Sequence, residues 1–371
     1  MNSSATIRRV VGSDDLTIEY LVNALMSYGA SDLHIKVGRP PCFRIDGKLI
    51  PAKTAPITQE NAEKLVHSVL TPRHLQELEQ NWQVDASFRL PNVGRFRCNV
   101  YRQRNTLSAV IRMIPFQTLR LEDLGAPSVL KELGRRESGI LLLVGPTGSG
   151  KSTTMASLVQ HLNETQAIHI ITIEDPIEFV FQDLRASVTQ REVGSDARST
   201  QEALRACLRQ DPDVIVVGEM RDYDTIRVAL TAAETGHLVL STLHASSAAG
   251  AIERILDVVP GEAQNQVRVQ LASSLVGVVA QQLVPRHSGE GRVLAAEVMV
   301  NSPAIQDAIA ENALDRIPEL MANSNDYYQM QTLNQALLKL VGSGAITLDE
   351  ARKISPRPEE LDQSLSGIVR D

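Results

Sequence analysis

Residues 140–154 read Ile-Leu-Leu-Leu-Val-Gly-Pro-Thr-Gly-Ser-Gly-Lys-Ser-Thr-Thr, and this stretch decides the fold. Its first five residues have the length of a buried strand, the motif GxxxxGKS follows, and residues 152–162 have helical spacing. Between a strand and a helix, this motif turns its backbone N–H groups toward phosphate, and the helix N-terminus adds partial positive charge. The sequence therefore predicts a phosphate-binding loop of nine residues: Gly145, Pro146, Thr147, Gly148, Ser149, Gly150, Lys151, Ser152 and Thr153.

The pattern around this loop is that of a doubly wound α/β domain. Apolar strands at 140–144, 168–173 and 214–217 alternate with helical stretches at 152–162 and 200–210. Strands that alternate with helices in this way are typical of βαβ units and a parallel sheet.

Four segments are expected along the chain. Residues 1–115 form an α+β domain, in which alternating strands make a sheet with helices to one side. Residues 116–128 are rich in loop formers and form a linker, residues 129–300 form the α/β core, and residues 301–371 form a helical region.

Carboxylates follow two of the predicted parallel strands. Glu174, Asp175 and Glu178 come after the second strand, and Glu219 comes after the third. Because ligands collect at the carboxyl ends of parallel strands, we expect all four to face the bound phosphate. Glu219 suits the general base, with Glu174 and Glu178 at the same catalytic site, and Ser152, Asp175 and Glu219 suit Mg²⁺. Ordinary surface carboxylates remain the alternative, more for Asp175 and Glu178 than for Glu219.

Three further side chains have predicted roles at this site. Lys151 is expected to reach the β- and γ-phosphates of a nucleotide. His237 and His244 lie on either side of a further apolar strand, so either could sense the γ-phosphate by donating a hydrogen bond. The spacing of the two histidines fits no zinc motif.

Composition excludes several classes of protein. The chain has no run of 18 apolar residues and no apolar signal core at its start, which predicts a cytoplasmic protein without a transmembrane helix. The three cysteines form no CxxC pair or Cys/His cluster, which argues against a zinc site and a disulfide framework.

Charge is divided unevenly along the chain. Residues 1–120 carry 16 basic and 10 acidic residues, a balance of +6, whereas the remainder carries 21 and 34, a balance of −13. Seven arginines and no carboxylate lie between Arg89 and Arg120. This stretch is a solvated basic face, or it reaches an anion on a neighbouring surface. Nucleic-acid binding is disfavoured, because few aromatic residues accompany the arginines and the chain is acidic.

Four ordered motifs resemble those of the type II/IV secretion ATPases. GPTGSGKSTT (145–154), ITIEDPIEF (171–179), DPDVIVVGEMRD (211–222) and TGHLVLSTLHA (235–245) look like their Walker A motif, Asp box, Walker B motif and His box. Residues 30–49 and 94–115 are similar to the N-terminal domain of the PilT-type pilus retraction ATPases.

This resemblance implies a fold, an assembly and a set of cofactors. A PAS-like α+β N-terminal domain precedes a RecA-like P-loop domain with a C-terminal helical region, so the fold class is α/β, and six subunits form a ring that uses ATP and Mg²⁺. The N-terminal domain of one subunit packs on the next, and Arg95, Arg97 and Arg112 match arginines that reach the neighbour's nucleotide. The resemblance does not decide which of the three acts as an arginine finger.

The implied function is ATP hydrolysis that drives type IV pilus retraction, and hence twitching motility. Such a homo-hexamer works in the cytoplasm, peripheral to the inner membrane, against a pilus platform protein and in some cases with a paralogous retraction ATPase. Pilus extension and type II secretion ATPases are the alternatives, but they generally carry an extra N-terminal domain and a four-cysteine zinc insert. A RecA-like nucleic-acid motor and a non-catalytic nucleotide-binding module fit less well. The family's AIRAGE motif is altered here, with Gln306 in place of its arginine.

Overall fold

The structure, a computed structural model, describes residues 16–91, 93–114 and 118–365. It divides the chain into two units, Met1–Phe116 and Gln117–Asp371. Residues 1–15, at the start of the predicted N-terminal domain, lie outside the described residues, as do residues 366–371 of the predicted C-terminal region.

The first unit is an antiparallel sheet covered by helices. Its helices are α1 (Ile18–Ser27), α2 (Gln59–His67) and α3 (Pro72–Asn81). Its strands are β1 (Asp32–Lys36), β2 (Cys42–Ile45), β3 (Lys48–Pro51), β4 (Gln83–Leu90), β5 (Gly94–Gln103) and β6 (Thr106–Ile114). The sheet order is β3-β2-β1-β6-β5-β4, and every neighbouring pair is antiparallel.

Local sequence signals explain where these helices begin. Thr17, Thr58 and Thr71 are the N-cap residues of the three helices, and each threonine side chain accepts a hydrogen bond from a backbone N–H of the first turn. Apolar residues at alternate strand positions, such as Phe96 and Cys98, are buried against the helices. The other sheet face therefore carries the polar residues of the same strands.

The second unit contains a seven-stranded sheet that is parallel except at one edge. The order is β13-β12-β7-β11-β10-β8-β9, and the edge strand β13 runs antiparallel to its neighbour. Its strands are β7 (Gly139–Val144), β8 (His169–Glu174), β9 (Ser187–Glu192), β10 (Val214–Val217), β11 (Leu238–Leu243), β12 (Leu275–Pro285) and β13 (Arg292–Val300).

Helices connect these strands and cover the sheet. They are α4 (Val129–Leu133), α5 (Lys151–Thr165), α6 (Thr200–Cys207), α7 (Tyr223–Glu234), α8 (Ala248–Asp257) and α9 (Gly261–Ser274). Residues 140–144 are buried along their whole length, as expected for a strand covered on both faces. A hydrogen bond of 2.9 Å from Nε2 of Gln281 on β12 to Oγ1 of Thr154 ties α5 to the sheet interior.

Helices dominate the C-terminal part. They are α10 (Pro303–Ala310), α11 (Ile317–Ala322), α12 (Asn325–Tyr328), α13 (Leu333–Gly342), α14 (Leu348–Ile354) and α15 (Pro358–Leu365), with a 3-10 helix at Leu314–Arg316. Ser302 is the N-cap residue of α10, which holds the segment that contains Gln306. No helix among residues 16–91, 93–114 and 118–365 is long and apolar enough to cross a membrane.

One partly buried carboxyl group joins this helical part to the sheet. Oε1 of Glu297, on β13, accepts a hydrogen bond of 2.7 Å from the N–H of Ala248, the first residue of α8. The carboxylate also accepts the N–H of Leu333, the first residue of α13. Burial raises the pKa of Glu297 even though both hydrogen bonds act to lower it.

Candidate nucleotide-binding site

The phosphate-binding loop lies between β7 and α5, as the motif predicts. Gly145 has a φ of +154°, and a Cβ atom at this position would lie 2.5 Å from both the carbonyl oxygen of Gln281 and Oγ of Ser149. Only glycine fits so close an approach of two backbone segments. Nζ of Lys151 donates to the carbonyl oxygens of Gly145 at 2.7 Å and Pro146 at 3.0 Å.

Electrostatics link Lys151 to the predicted catalytic carboxylates. Burial lowers the pKa of Lys151, and the negative charges of Glu219 and Glu178 act against that decrease. The cationic amine and the helix N-terminus suit the terminal phosphates of a nucleotide. The two nearby carboxylates suit the cation that accompanies those phosphates.

A cavity of about 800 Å³ opens over the loop. It brings together most of the predicted site, namely Thr147, Gly148, Gly150, Lys151, Ser152, Thr153, Glu174, Asp175, Glu178, Glu219 and His244. The carboxylates meet there because β8 and β10 are neighbours in the parallel sheet, so their C-terminal ends share one edge.

Four predicted residues of the second unit do not line this cavity. Gly145 and Ser149 are buried within the loop, and Pro146 is exposed outside the cavity. His237 precedes β11, whereas His244 follows it, so the two lie about 20 Å apart at opposite ends of the strand. Nδ1 of His237 lies 3.0 Å from the carbonyl oxygen of Ala232. Of the two histidines, the structure thus brings His244 to the site.

Glu219 is held by two basic side chains. Arg221 bonds one carboxylate oxygen, and Nε2 of His244 lies 3.5 Å from the other. These three residues also line a second cavity of about 380 Å³, together with Arg254. Sequence reasoning predicted neither Arg221 nor Arg254 as a site residue, although Arg221 lies within the quoted Walker B segment.

Glu174 is enclosed by hydrogen bonds from its own chain. Its Oε1 accepts from Oγ1 of Thr172 at 2.7 Å and from Nε2 of Gln190 at 3.1 Å, and its Oε2 accepts from the N–H of Glu178 at 3.3 Å. Burial raises the pKa of Glu174, and these three bonds act against the increase. The carboxylate is therefore placed to orient its neighbours.

The chemistry of the cavity suits a phosphate-bound Mg²⁺. Mg²⁺ is usually held by one or two carboxylates, waters and the phosphates of its substrate. The exposed Ser152 and Asp175 and the partly exposed Glu219 all line the cavity. Within the described ranges, 16–91, 93–114 and 118–365, no cluster of three or more His, Cys, Asp or Glu residues is arranged to hold a metal by itself. Ser152, Asp175 and Glu219 supply oxygen atoms of the kind that Mg²⁺ takes as ligands.

The predicted arginines lie on the polar sheet face of the first unit. Cross-strand register places Asp32 opposite Arg112 and Arg112 opposite Arg97. Arg112 donates to Oδ1 of Asp32 from Nε at 2.8 Å and Nη2 at 2.7 Å, while Arg97 lies 3.7 Å from Asp85. Nη2 of Arg95 donates to Oγ of Ser87 at 2.9 Å. The alternation that predicted a shared face for Arg95 and Arg97 agrees with this register.

Asp32 holds Arg112 as a charged partner. Although burial acts to raise it, the pKa of Asp32 is lowered by hydrogen bonds from Ser31 and Arg112. The side chain of Arg112 remains 68% exposed, so its guanidinium is fixed at one side and open to an anion at the other.

Comparison with known proteins gives the family. The sequence profile described as "Type II/IV secretion system protein" matches residues 13–353, which is most of the chain. The chain belongs to the type II/IV secretion system protein family.

Relatives of this type II/IV secretion system protein match over nearly their whole length. The type IV pilus retraction ATPase PilT of Pseudomonas aeruginosa is 44% identical over 333 residues, 90% of this chain and 96% of PilT. A twitching motility protein of Neisseria gonorrhoeae is 42% identical, over 86% of each chain. A crystal structure of the pilus retraction motor PilT with bound ADP has a TM-score of 0.87 and 46% identity, and covers 94% of this chain and 100% of that one.

These matches confirm three of the expectations. This type II/IV secretion system protein is an ATP-hydrolysing enzyme that binds nucleotide, and its fold is α/β, with an N-terminal domain followed by a RecA-like domain. The resemblance to the PilT-type retraction ATPases, drawn from residues 30–49 and 94–115, is also confirmed.

Proposed function

We propose that this protein is a hexameric motor that hydrolyses ATP to drive type IV pilus retraction. One observation carries the proposal: the match to PilT spans 96% of that protein, so the likeness includes the first unit as well as the P-loop unit. The polar sheet face of the first unit carries Arg95, Arg97 and Arg112 and is the basic sheet face of this proposal. The side chain of Arg112 is 68% exposed there, which fits an assembly in which the face serves a neighbouring subunit.

Hydrolysis is assigned to side chains that line the larger cavity. Backbone N–H groups of the loop and Nζ of Lys151 bind the phosphates, for which Lys151 leaves its carbonyl partners. Glu219 orients the attacking water and accepts its proton, and His244 senses the γ-phosphate beside it. Ser152, Asp175 and Glu219 would hold Mg²⁺, which would neutralise charge on the phosphates. Glu178 helps to orient the water, and Glu174 orients Glu178.

The basic sheet face completes the site of an adjacent subunit in this proposal. Arg95, Arg97 and Arg112 share one face, and a guanidinium that reaches a γ-phosphate stabilises the charge of the transition state. His237, at the far end of β11, has no part in the chemistry. The ring works in the cytoplasm against the inner-membrane platform protein of the pilus, and a paralogous retraction ATPase is a further partner.

Deletion of the gene in its host tests the direction of the motor. A retraction motor predicts lost twitching with an excess of surface pili, counted by electron microscopy. Complementation with Glu219→Gln should leave that phenotype unchanged, because the subunits assemble without turnover. A deletion strain that lacks pili would instead identify an extension motor, and one with normal pili and blocked protein export would identify a secretion ATPase.

A further inference from the structure

The acidic loop, defined here as residues 175–186 between β8 and β9, has no helix or strand of its own. It nevertheless carries Asp175 and Glu178 to the wall of the nucleotide cavity. Backbone polar groups in such a segment need partners, because leaving them unpaired away from water costs free energy. Four side chains from three neighbouring elements supply those partners: Asn163, Glu174, Gln190 and Glu192.

The side chain of Gln190, on β9, both donates a hydrogen bond to the loop backbone and accepts one from it, as the backbone of a neighbouring strand does. Its Nε2 donates to the carbonyl oxygen of Phe179 at 2.8 Å, and its Oε1 accepts from the N–H of Phe181 at 2.9 Å. The same Nε2 lies 3.1 Å from Oε1 of Glu174. A side-chain amide both donates and accepts, whereas an ionised carboxylate only accepts and an ammonium only donates. Glutamine is therefore suited to all three contacts at once.

Backbone bonds fix the segment immediately around Glu178. The N–H of Ile177 donates to Oε2 of Glu192 at 3.0 Å, and the N–H of Glu178 donates to Oε2 of Glu174. Ile177 is only 3% exposed, whereas Glu178 is exposed and lines the cavity. With the bonds of Gln190 to Phe179 and Phe181, these contacts hold the loop on both sides of Glu178.

The far end of the loop is tied to the helix that begins at the phosphate-binding loop. Nδ2 of Asn163, on α5, donates to the carbonyl oxygen of Gln182 at 2.8 Å, and its Oδ1 accepts from the N–H of Leu184 at 3.1 Å. Asn163 is fully buried. Hydrogen bonds thus attach the acidic loop to α5 at one end and to β9 at the other.

We propose that Gln190 is a positioning residue for ATP hydrolysis, which holds the acidic loop so that Glu178 faces the phosphates. The inference rests on the proposed function, because it needs Glu178 to act during turnover. Gln190 itself makes no contact with nucleotide in this proposal. Its effect on the rate passes through the backbone of Phe179 and Phe181 and through Glu174.

The first measurement compares Gln190→Met with the matched control Gln182→Met. Methionine keeps the length of glutamine and removes all three bonds, whereas the side chain of Gln182 is exposed in the same loop. We expect Gln190→Met to lower kcat by about 10- to 100-fold, the scale of a small misplacement of a reacting group. Binding of fluorescent ADP should be unchanged, and Gln182→Met should turn over like the wild type. An unchanged kcat in Gln190→Met overturns the inference.

A double variant separates positioning from general loss of structure. If Gln190 acts through Glu178, then Glu178→Gln with Gln190→Met should turn over no more slowly than Glu178→Gln alone. Two multiplied losses would overturn the inference. Should the methionine variant not fold, Gln190→Glu carries the same test, because its carboxylate still accepts from Phe181 but cannot donate to Phe179.

Hydrogen exchange tests the positioning role of Gln190 independently of the proposed retraction function. The amides of Ile177 and Phe181 should exchange faster in Gln190→Met, while amides of α5 should keep the wild-type rate. Unchanged exchange at Phe181 overturns the inference whatever the deletion strain shows, whereas a deletion strain that still retracts its pili would by itself contradict only the proposed function.

Discussion

Arg221 places two hydrogen-bond donors on a single oxygen of Glu219: Nε lies 2.8 Å and Nη2 lies 2.7 Å from Oε2. The side chain of Arg221 is 76% exposed, whereas that of Glu219 is 20% exposed. Exposed ion pairs contribute at most about 1 kcal/mol. The ion pair with Arg221 therefore restrains the side chain of Glu219, the proposed base, only weakly. A small change in the conformation of Arg221 is enough to break the pair.

Replacement of Arg221 should release the proposed base. We expect Arg221→Gln to raise the basal kcat by up to about fivefold, the factor that corresponds to about 1 kcal/mol. Arg227→Gln is the control, because Arg227 is also an exposed arginine and bonds a carboxylate, that of Asp224 at 3.1 Å on the next helix. Steady-state hydrolysis measures both variants. A tenfold fall in Arg221→Gln alone would mean that Arg221 binds the nucleotide instead of restraining Glu219.

Replacement of Lys151 and replacement of Glu219 should impair different steps, nucleotide binding in the first case and hydrolysis in the second. Lys151→Ala removes the phosphate-bound charge, so it should abolish nucleotide binding and hydrolysis together. Glu219→Gln should bind nucleotide normally and turn over at least about 10²-fold more slowly, as for the loss of a general base. Fluorescent-nucleotide titration and an ATPase assay decide between the two. Equal loss of binding in both variants would contradict the role of Glu219.

Gly145→Ala should disable the phosphate-binding loop for steric reasons. The added methyl group meets the carbonyl oxygen of Gln281 at 2.5 Å, which belongs to the backbone and has little room to move. Gly289→Ala is the control, since Gly289 has a φ of +80° but no atom within 4 Å of the new methyl group. We expect the control to lose about 1–2 kcal/mol of stability and still bind ADP. Gly145→Ala should lose more stability and lose ADP binding, as followed by thermal unfolding and titration.

The raised pKa of Glu174 predicts a pH-dependent stability. The folded state keeps the proton of Glu174 to a higher pH than the unfolded state, in which the carboxyl has its ordinary value near 4.5. This contribution to the free energy of unfolding is present below pH 4.5 and is lost as pH rises through the raised value. Glu174→Gln stays neutral at every pH. Its stability relative to the wild type should therefore increase as pH rises from 4.5.

Denaturant unfolding at several pH values measures this difference. The amide in Glu174→Gln cannot satisfy all the donors that the carboxylate accepts, but that loss is a constant offset and leaves the pH dependence visible. Glu164→Gln, at an exposed position, serves as the control. A stability difference between Glu174→Gln and the wild type that does not vary with pH would contradict the raised pKa.

The basic sheet face should make activity depend on assembly. If Arg97 and Arg112 serve a neighbour, ATPase activity per subunit should rise steeply with protein concentration until rings form. Arg97→Ala and Arg112→Ala should bind ATP but lose about 10³-fold in kcat, the low end for an arginine finger, because several arginines share the task. Arg102→Ala, on the same strand, should keep its activity.

Mixed rings give the sharper form of that measurement. Arg97→Ala subunits keep Glu219, and Glu219→Gln subunits keep Arg97, so some neighbouring pairs rebuild one intact site. The mixture should recover part of the wild-type activity. If native mass spectrometry shows that subunits exchange and the mixture remains inactive, the arginines do not act between subunits.

The sequence predicted the parts of the site that local pattern and strand topology determine. The strand, loop and helix around Lys151 follow from the motif, and the meeting of Glu178 with Glu219 follows from the rule for parallel strand ends. The role of Gln190 was not predictable, because β9 is a polar strand without an apolar run and its partner β8 had to be known. Of the two histidines that flank β11, only His244 follows the strand, so the same rule for strand ends selects it, although the motif alone leaves both histidines as candidates.

The carboxylate of Glu297 has a mechanical consequence. It anchors the first residues of α8 and α13 to the same strand through hydrogen bonds to a single side chain. Helix α8 begins three residues after His244, so a shift of His244 in the proposed cycle would reach Ala248 and, through Glu297, the start of α13. In a motor of the proposed kind, α8 and α13 would therefore move together with β13 rather than independently of it.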